Sequence, residues 1–371
     1  MSKLQELIKK LCPDGVEFRK LGEVCIDITT GKLNANAMDK NGKYPFFTCD
    51  AQPYWINEYA FDKEAILISG NGSQVGHINY YNGRFNAYQR TYILSGFISS
   101  INAFFLFYYL KCYFRQYIIL SCRNGSVPYI TLPVLYNFEI PLPPLEVQNE
   151  IVRILDAFTA HTAELQAELQ ARKEQYEYYR NKLFTFDEND EEVKWMKLNE
   201  FAEIGTGSSN TQDELSDGLY PFFVRSQIVR SKNEYEFDET AIITSGDGVG
   251  VGKIFHYVEG KYALHQRAYR IHILDNTVMP KFFFYYMRSE FYNYITKNAF
   301  SSSVTSIRKP MLLNFPVPLP PLSEQQRIVS ILDKFESLVN DLSEGLPAEI
   351  AAVQEQYEYY RNKLLTFKRK S

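Results

Sequence analysis

The spacing of apolar side chains divides the 371-residue chain into two textures, and each texture occurs twice. Residues 18–139 and 195–316 contain short alternating or β-branched runs, such as Ala-Ile-Leu-Ile-Ser at 65–69, between Gly and Asn turn signals. These runs predict strands. Longer aromatic stretches begin at Phe104 and Phe282, and their length favours a buried helix. Each of these regions is therefore predicted to be an α+β domain.

The second texture follows Pro-Leu-Pro-Pro-Leu, at 141–145 and 318–322, where the prolines disfavour helix and set a stiff boundary. Beyond it, apolar residues recur at alternating steps of four and three, which is the heptad pattern of a coiled coil. A long amphipathic core helix is the alternative for either copy alone, but two nearly identical copies favour a coiled coil. The predicted seam consists of Ile151, Leu155, Phe158, Leu165, Leu169, Tyr176, Tyr179 and Leu183, and then Ile328, Leu332, Phe335, Tyr357, Tyr360 and Leu364.

The two copies also match residue by residue, at a separation of about 177 positions. Tyr-Pro-Phe-Phe occurs at 44–47 and 220–223, and the ten residues 174–183 are identical to 355–364. A repeat of this length is a domain plus its connector. The predicted segments are a domain at 1–145, a helical connector at 146–188, a second domain at 189–322 and a second connector at 323–371 with a break near 345–347.

Four extra residues in the second connector, beside Gly345 and Pro347, are the reason for the predicted break. About 40 helical residues at ~1.5 Å each give a rod of about 60 Å, and two such rods can bury their seams against each other. The fold class expected is α+β, with two pseudo-symmetric domains joined by two long antiparallel coiled-coil helices.

Charge and composition narrow the possible functions. The net charge of −4 argues against nucleic-acid binding, but residues 146–191 alone carry eleven acidic and five basic side chains, whereas residues 1–145 have a net charge of +3. Five cysteines without a C-x-x-C pair indicate reduced thiols. No secretory signal or bilayer-spanning stretch is recognisable, so no membrane association and a cytoplasmic location are expected.

Two similar domains held a fixed distance apart suit a protein that recognises duplex DNA. Because the two strands are antiparallel, each domain of a pseudo-two-fold protein can contact the duplex in the same way on opposite strands. The Pro-Leu-Pro-Pro-Leu boundary, Ile-Val-x-Ile-Leu-Asp-x-Phe at 151–158 and 328–335, and Glu-Gln-Tyr-Glu-Tyr-Tyr-Arg-Asn-Lys-Leu all occur twice. This arrangement resembles type I restriction-modification specificity subunits over essentially the whole chain. The resemblance implies two target-recognition domains, each reading half of an asymmetric bipartite DNA site, and helices that set the spacer and dock modification subunits.

The same resemblance implies the partners. These are double-stranded DNA, two modification subunits that bind S-adenosylmethionine and methylate adenines, and a restriction subunit that uses ATP and Mg²⁺. The chain itself is expected to have no catalytic residue, metal or cofactor. It has no Asn-Pro-Pro-Tyr type motif, Asp247 and Ile254 spoil the nearest Walker A match, and its five histidines lack metal-ligand spacing.

Two other functions compete with this interpretation: a DNA-independent coiled-coil scaffold, and a self-sufficient methyltransferase or nuclease. The paired globular domains count against the first, and the missing motifs count against the second.

DNA contacts are expected at two kinds of position. Matched turns after strands place Asn71, Gly72, Asp247 and Gly248 where backbone amides can approach phosphate, although ordinary turns are the alternative. The pairs Gln89-Arg90 and Gln266-Arg267, shared by both copies, are expected either to contact phosphates or to brace the fold. Sequence discrimination is expected where the copies diverge, with solvated surface as the alternative. These divergent candidates are Ser73, Gln74, Arg123 and Asn124 in the first domain and Arg225, Ser226 and Arg308 in the second.

Partner contacts are expected on the identical helical segments. Several charged residues there lie off the seam yet keep the same identity in both copies, which suits two identical subunits docking symmetrically, although a solvated charged face is an equal alternative. They are Glu177, Arg180 and Lys182, with Glu358, Arg361 and Lys363.

Overall fold

A computed structural model describes residues 3–121, 129–187, 190–297, 306–340 and 345–370. The chain forms two compact units, one made of Met1–Glu164 with Ile350–Ser371 and the other of Leu165–Glu349. The first unit is therefore discontinuous, because the C-terminal segment belongs to it. A long helix crosses the boundary between Glu164 and Leu165, so it contributes to both units.

The first half of the chain folds into eight strands and five α-helices among the described residues. They are α1 (Lys3–Leu11), β1 (Glu17–Lys20), α2 (Leu21–Val24), β2 (Cys25–Thr30), β3 (Tyr44–Phe47), β4 (Tyr54–Ile56), β5 (Phe61–Ser69), β6 (Ile78–Ala87), β7 (Thr91–Phe97), α3 (Ala103–Ser121), α4 (Leu132–Tyr136), β8 (Glu139–Leu142) and α5 (Leu145–Leu183).

The second half repeats this order. Its elements are β9 (Lys194–Lys197), α6 (Leu198–Phe201), β10 (Ala202–Thr206), β11 (Tyr220–Phe223), β12 (Arg230–Lys232), β13 (Phe237–Ser245), β14 (Phe255–Leu264), β15 (Ala268–Ile273), α7 (Pro280–Lys297), α8 (Lys309–Leu313), β16 (Pro316–Leu319), α9 (Leu322–Asn340) and α10 (Leu346–Leu364).

Both units contain the same mixed sheet. The strand order is β2-β7-β5-β6-β3-β4 in the first unit and β10-β15-β13-β14-β11-β12 in the second. All neighbours are antiparallel except β3 with β6 and β11 with β14. Small two-stranded sheets pair β1 with β8 and β9 with β16. The predicted α+β class is confirmed, since each unit combines this sheet with helices.

An aromatic-rich helix packs against each sheet. The aromatic stretches predicted to be helical form α3 and α7, which confirms that prediction. Phe105 and Phe114 of α3 are fully buried with Ile66 of β5, and Phe282 and Phe291 of α7 are fully buried in the second core. Helices with this composition are stable only in a core, because water would surround large aromatic surfaces otherwise.

The Pro-Leu-Pro-Pro-Leu segments end the domains as extended chain. Their first residues lie in β8 and β16, and α5 and α9 begin at Leu145 and Leu322, directly after the last proline. Helix α9 ends at Asn340 and α10 begins at Leu346. Within the described ranges, no helix has the length and apolar character needed to span a bilayer.

Candidate nucleic-acid interface

The glycine turn after β5 is fastened to the turn between β6 and β7. The Gly70 amide donates to the carbonyl oxygen of Arg90 at 2.9 Å, and the Gly70 carbonyl accepts from the Ile130 amide at 2.8 Å. A Cβ atom at Gly70 would lie 2.3 Å from the Arg90 oxygen. Glycine is therefore required here by a close backbone approach, and the turn holds Asn71 and Gly72 beside Arg90.

The second unit repeats these contacts. The Gly246 amide donates to the Arg267 carbonyl at 2.9 Å, and the Gly246 carbonyl accepts from the Ile307 amide at 2.8 Å. Gly248 has a φ of +86°, and a Cβ atom there would meet nothing within 4 Å, so backbone conformation alone favours glycine at this position. The two units thus present one geometry, a glycine turn against a Gln-Arg turn.

The two glutamines hydrogen-bond to asparagines of neighbouring loops at the surface. Gln89 Nε2 donates to Asn34 Oδ1 at 2.9 Å, and Gln266 Nε2 donates to Asn210 Oδ1 at 2.5 Å. Their backbone amides donate to the carbonyl oxygens of the residues before those asparagines, Leu33 and Ser209. Of the two roles expected for the Gln-Arg pairs, these contacts favour bracing for the glutamines, whereas Arg90 and Arg267 have exposed side chains.

A charged cluster distinguishes the second unit. Arg225 Nη1 donates to Asp247 Oδ1 at 2.6 Å, and Arg267 Nη1 donates to Asp247 Oδ2 at 3.2 Å. Partial burial alone would raise the pKa of Asp247, but the hydrogen bonds and charges of Arg225 and Arg267 outweigh it and lower that pKa below its ordinary value. Asp247 is therefore ionised at neutral pH and holds both arginines.

The other divergent candidates differ in their surroundings. Ser73 and Gln74 are exposed, and the backbone carbonyl of Gln74 accepts a hydrogen bond from the His77 amide. Ser226 is half-buried, and its hydroxyl oxygen accepts from the Ile228 amide at 3.1 Å. Arg308 is exposed directly before α8. Arg123 and Asn124 lie outside the described residues.

Two features of these regions were not predicted from the sequence. Lys111 and Arg115 of α3 line a cavity with Gln74, and burial lowers the pKa of Lys111, with a further contribution from the charge of Arg361. Ile228 and Val249 are exposed apolar side chains in the second unit, 75% and fully accessible respectively. Val249 directly follows Gly248 in the chain, whereas the proximity of Lys111 and Arg115 to Gln74 depends on tertiary contacts that no local pattern indicates.

A buried glutamine anchors the start of each long helix. Gln148 Nε2 donates to the carbonyl oxygens of Ser100 and Pro143, and its Oε1 accepts from the Asn102 amide. Gln325 makes the same three bonds, to Thr277, Pro320 and Met279. Both side chains are fully buried. The signal was available, because Pro-Pro-Leu-x-x-Gln occurs in both copies, but its role was not recognised.

The predicted seam residues form matching aromatic contacts in the two units. Phe158 packs against Tyr357 and Tyr360 of α10, with ring centroids 6.3 and 5.7 Å apart. Phe335 packs against Tyr176 and Tyr179 of α5 at 6.3 and 5.9 Å. The remaining seam residues differ in burial. Five are fully or nearly fully buried, namely Ile151, Leu155, Leu165, Ile328 and Leu332, and three are half-buried, namely Leu169, Leu183 and Leu364.

The charged residues of the identical segments fall into two groups. Arg180 and Arg361 are half-buried, and their guanidinium groups lie 5.6 and 5.5 Å from the ring centroids of Tyr176 and Tyr357. The four others are exposed, namely Glu177, Lys182, Glu358 and Lys363. Two tyrosines that the heptad pattern leaves off the seam, Tyr178 and Tyr359, are 61% and 60% exposed. No group of His, Cys, Asp and Glu side chains among the described residues could hold a metal ion.

Comparison with known proteins identifies the family. The family model of the type I restriction modification DNA specificity domain matches residues 13–175 and again residues 190–352. A type I restriction enzyme specificity subunit of Escherichia coli is 35% identical over 68% of this chain, which spans just under two thirds (66%) of that relative. A putative specificity subunit of Haemophilus influenzae is 29% identical over 95% of this chain and 96% of its own length.

Solved structures support the same fold. The S subunit of a type I restriction-modification system from M. genitalium aligns with a TM-score of 0.61 at 16% identity, over 95% of this chain and 96% of that one. A chain from a study of type I complex assembly aligns with a TM-score of 0.63 at 19% identity, over 95% and 98%. Together with the doubled family match, this shows that the chain belongs to the type I restriction-modification DNA specificity family, whose members are non-catalytic specificity subunits.

Proposed function

We propose that each unit of this specificity subunit reads one half of a bipartite, asymmetric DNA site. One observation carries the proposal: both units fasten a glycine turn to a Gln-Arg turn in the same way, while the side chains around those turns differ. The same backbone arrangement with different side chains suits two DNA-binding domains that contact phosphates in the same way and contact different bases. The exposed Arg90 and Arg267 would contact phosphate, and the divergent residues would contact bases.

The helices would set the distance between the half-sites and dock the partners. Support comes from the buried Gln148 and Gln325, which tie α5 and α9 to their domains, and from the matching aromatic packing around Phe158 and Phe335. The exposed tyrosines and charges of the identical segments would offer the same surface to two copies of one partner. That partner would be the modification subunit, which binds S-adenosylmethionine and methylates adenine.

The remaining chemistry would belong to the partners. A restriction subunit, in systems that include one, would use ATP and Mg²⁺ to translocate and cut DNA, and the chain itself would bring no cofactor. As a subunit acting on cellular DNA, the protein would work in the cytoplasm.

Exchange of one domain tests the proposal. Residues 13–140 would be replaced by the corresponding segment of a relative with a known site, and the complex with its modification subunit would be assayed by methylome sequencing. We expect one half of the methylated sequence to change and the other half and the spacer to remain. A change in both halves would contradict separate reading.

A further inference from the structure

The Arg225–Asp247–Arg267 cluster has no equivalent among the described residues of the first unit. Arg225 aligns with Cys49, Asp247 with Asn71 and Arg267 with Arg90. Cys49 Sγ donates to the Arg90 carbonyl oxygen at 3.5 Å, so in the first unit the loop after β3 also contacts the Gln-Arg turn. Across the part of the first unit that the structure describes, Arg90 has no carboxylate partner. One arginine is thus common to both units, and one arginine with its carboxylate is particular to the second.

The ion pairs leave most of the arginine donors available. A guanidinium group carries five N–H donors in a fixed fork, and each arginine gives one Nη to one Asp247 oxygen. The Arg225 side chain is 38% exposed and that of Arg267 is 61% exposed, whereas Asp247 is 27% exposed. Asp247 therefore restrains the two forks from one side, and the Nε and Nη2 groups of Arg225 can still bind an external acceptor pair.

The comparison of the two units separates the tasks of the two arginines. An arginine present in both units cannot distinguish two different half-sequences, so Arg267 suits phosphate, like Arg90. Arg225 is present once and suits a base. In the major groove, the partner that matches a planar fork is guanine, which offers O6 and N7 as paired acceptors.

We infer that Arg225, positioned by Asp247, reads a guanine in the half-site bound by the second unit. The inference rests on the proposed function and adds the base and the residue that selects it. Asp247 acts as a positioning residue: it fixes the Arg225 fork before DNA arrives, which lowers the entropy cost of bidentate binding. At the aligned positions the first unit has Cys49 and Asn71 instead, so it reads its half-site with other groups.

The test uses the full-length chain assembled with its modification subunit. Methylome sequencing first gives the site, and the domain exchange described above assigns its halves. The second half-site must contain a G·C pair. Arg225→Lys keeps the charge but removes the fork, so we expect discrimination at one G·C pair to fall about 5- to 150-fold, with every other position unchanged. Competition between oligonucleotides that differ at single base pairs measures this ratio.

Two further variants complete the test. Arg267→Lys, the matched control, should leave the sequence preference unchanged. Asp247→Asn keeps the side-chain size and should relax the same G·C pair by a smaller factor than Arg225→Lys. If Asp247→Asn leaves that pair as selective as before, the positioning role is wrong. Unchanged discrimination in Arg225→Lys, or a second half-site without G·C, would overturn the inference, while separate reading of the halves would stand if the domain exchange still altered only one of them.

Discussion

Tyr108 donates a hydrogen bond of 2.6 Å to Asp156 Oδ1, which ties the buried helix α3 to α5. In the second unit, Tyr285 makes the same bond to Asp333 Oδ1 at 2.6 Å and also approaches Glu336 Oε2 at 2.7 Å. Burial raises the pKa of both phenols, and the carboxylates raise it further, so both hydroxyls stay protonated and remain donors. Each recognition domain is thereby fixed to its long helix by a charge-assisted bond.

Removal of either hydroxyl should weaken this attachment. Tyr108→Phe and Tyr285→Phe each delete a hydrogen bond to a carboxylate without changing the packed ring, so we expect a loss of about 1.5–3 kcal/mol in the free energy of unfolding. Urea denaturation measures the loss. Tyr292→Phe, whose ring is 41% exposed, is the control and should change stability by less than about 0.5 kcal/mol. Equal effects in all three variants would show that the Tyr–Asp bonds are not special.

The buried glutamines should matter more than the tyrosines. Gln148→Leu or Gln325→Leu keeps the approximate volume but leaves one amide and two carbonyl groups without a partner in the core. We expect each substitution to cost about 3 kcal/mol or more. Gln326→Leu is the matched control. Gln326 is next to Gln325 in the chain, but its side chain is exposed, and its Nε2 donates to Ser330 Oγ at a long distance of 3.4 Å. A loss for Gln325→Leu no larger than that of the control would refute the anchoring role.

Acid should destabilise the first unit through Glu150. Hydrogen bonds from Arg153 and Lys3 lower the pKa of this carboxyl from 4.5 to about 2. Because this pKa is lower in the folded protein, the unfolded chain takes up the proton first as the pH falls. The stabilisation of the folded state by ionised Glu150 is therefore complete above pH about 4.5 and is lost as the pH falls towards about 2. Glu150→Gln should flatten the fall in urea midpoint between pH about 4.5 and about 2, whereas Glu146→Gln, at an exposed position of the same helix, should retain it. If the urea midpoint depended on pH in the same way in both variants, this assignment would be contradicted.

Salt dependence separates the two roles expected of the Gln-Arg pair. Arg90→Ala should lower the slope of log affinity against log salt by about 1, since one phosphate contact is lost. Gln89→Ala should reduce stability and leave that slope unchanged, because its amide binds Asn34 within the protein. Binding of a duplex containing the methylated site, at several salt concentrations, measures both. A reduced slope in Gln89→Ala would instead indicate a direct phosphate contact.

Repetition explains why much of the fold was predictable. The aromatic runs at Phe104 and Phe282 are too long and too apolar for strands, and the doubled Pro-Leu-Pro-Pro-Leu segment marks where each long helix begins. The pairing of α10 with the first unit depends instead on contacts across more than half of the chain, such as Tyr113 with Thr366 and Phe105 with Phe367. Local periodicity shows that a helix has an apolar face but not which residues cover it.

The site was predictable only in part, for the same reason. Matched turns identified the Ser69–Gly72 and Ser245–Gly248 segments, but the Asp247 bridge joins residues 20 and 22 positions apart whose encounter depends on the sheet. The three bonds of Gln148 are likewise tertiary. Glutamine is common on helix surfaces, so its type and position do not reveal that it is buried.

The central claim is that two separate readers act on one DNA site across a gap. Methylome sequencing of cells that produce this chain with its modification subunit tests it most directly. The account predicts adenine methylation within a bipartite, asymmetric sequence whose two specified halves flank an unread spacer of fixed length. Methylation at one uninterrupted motif, or at two half-sites separated by variable distances, would contradict it.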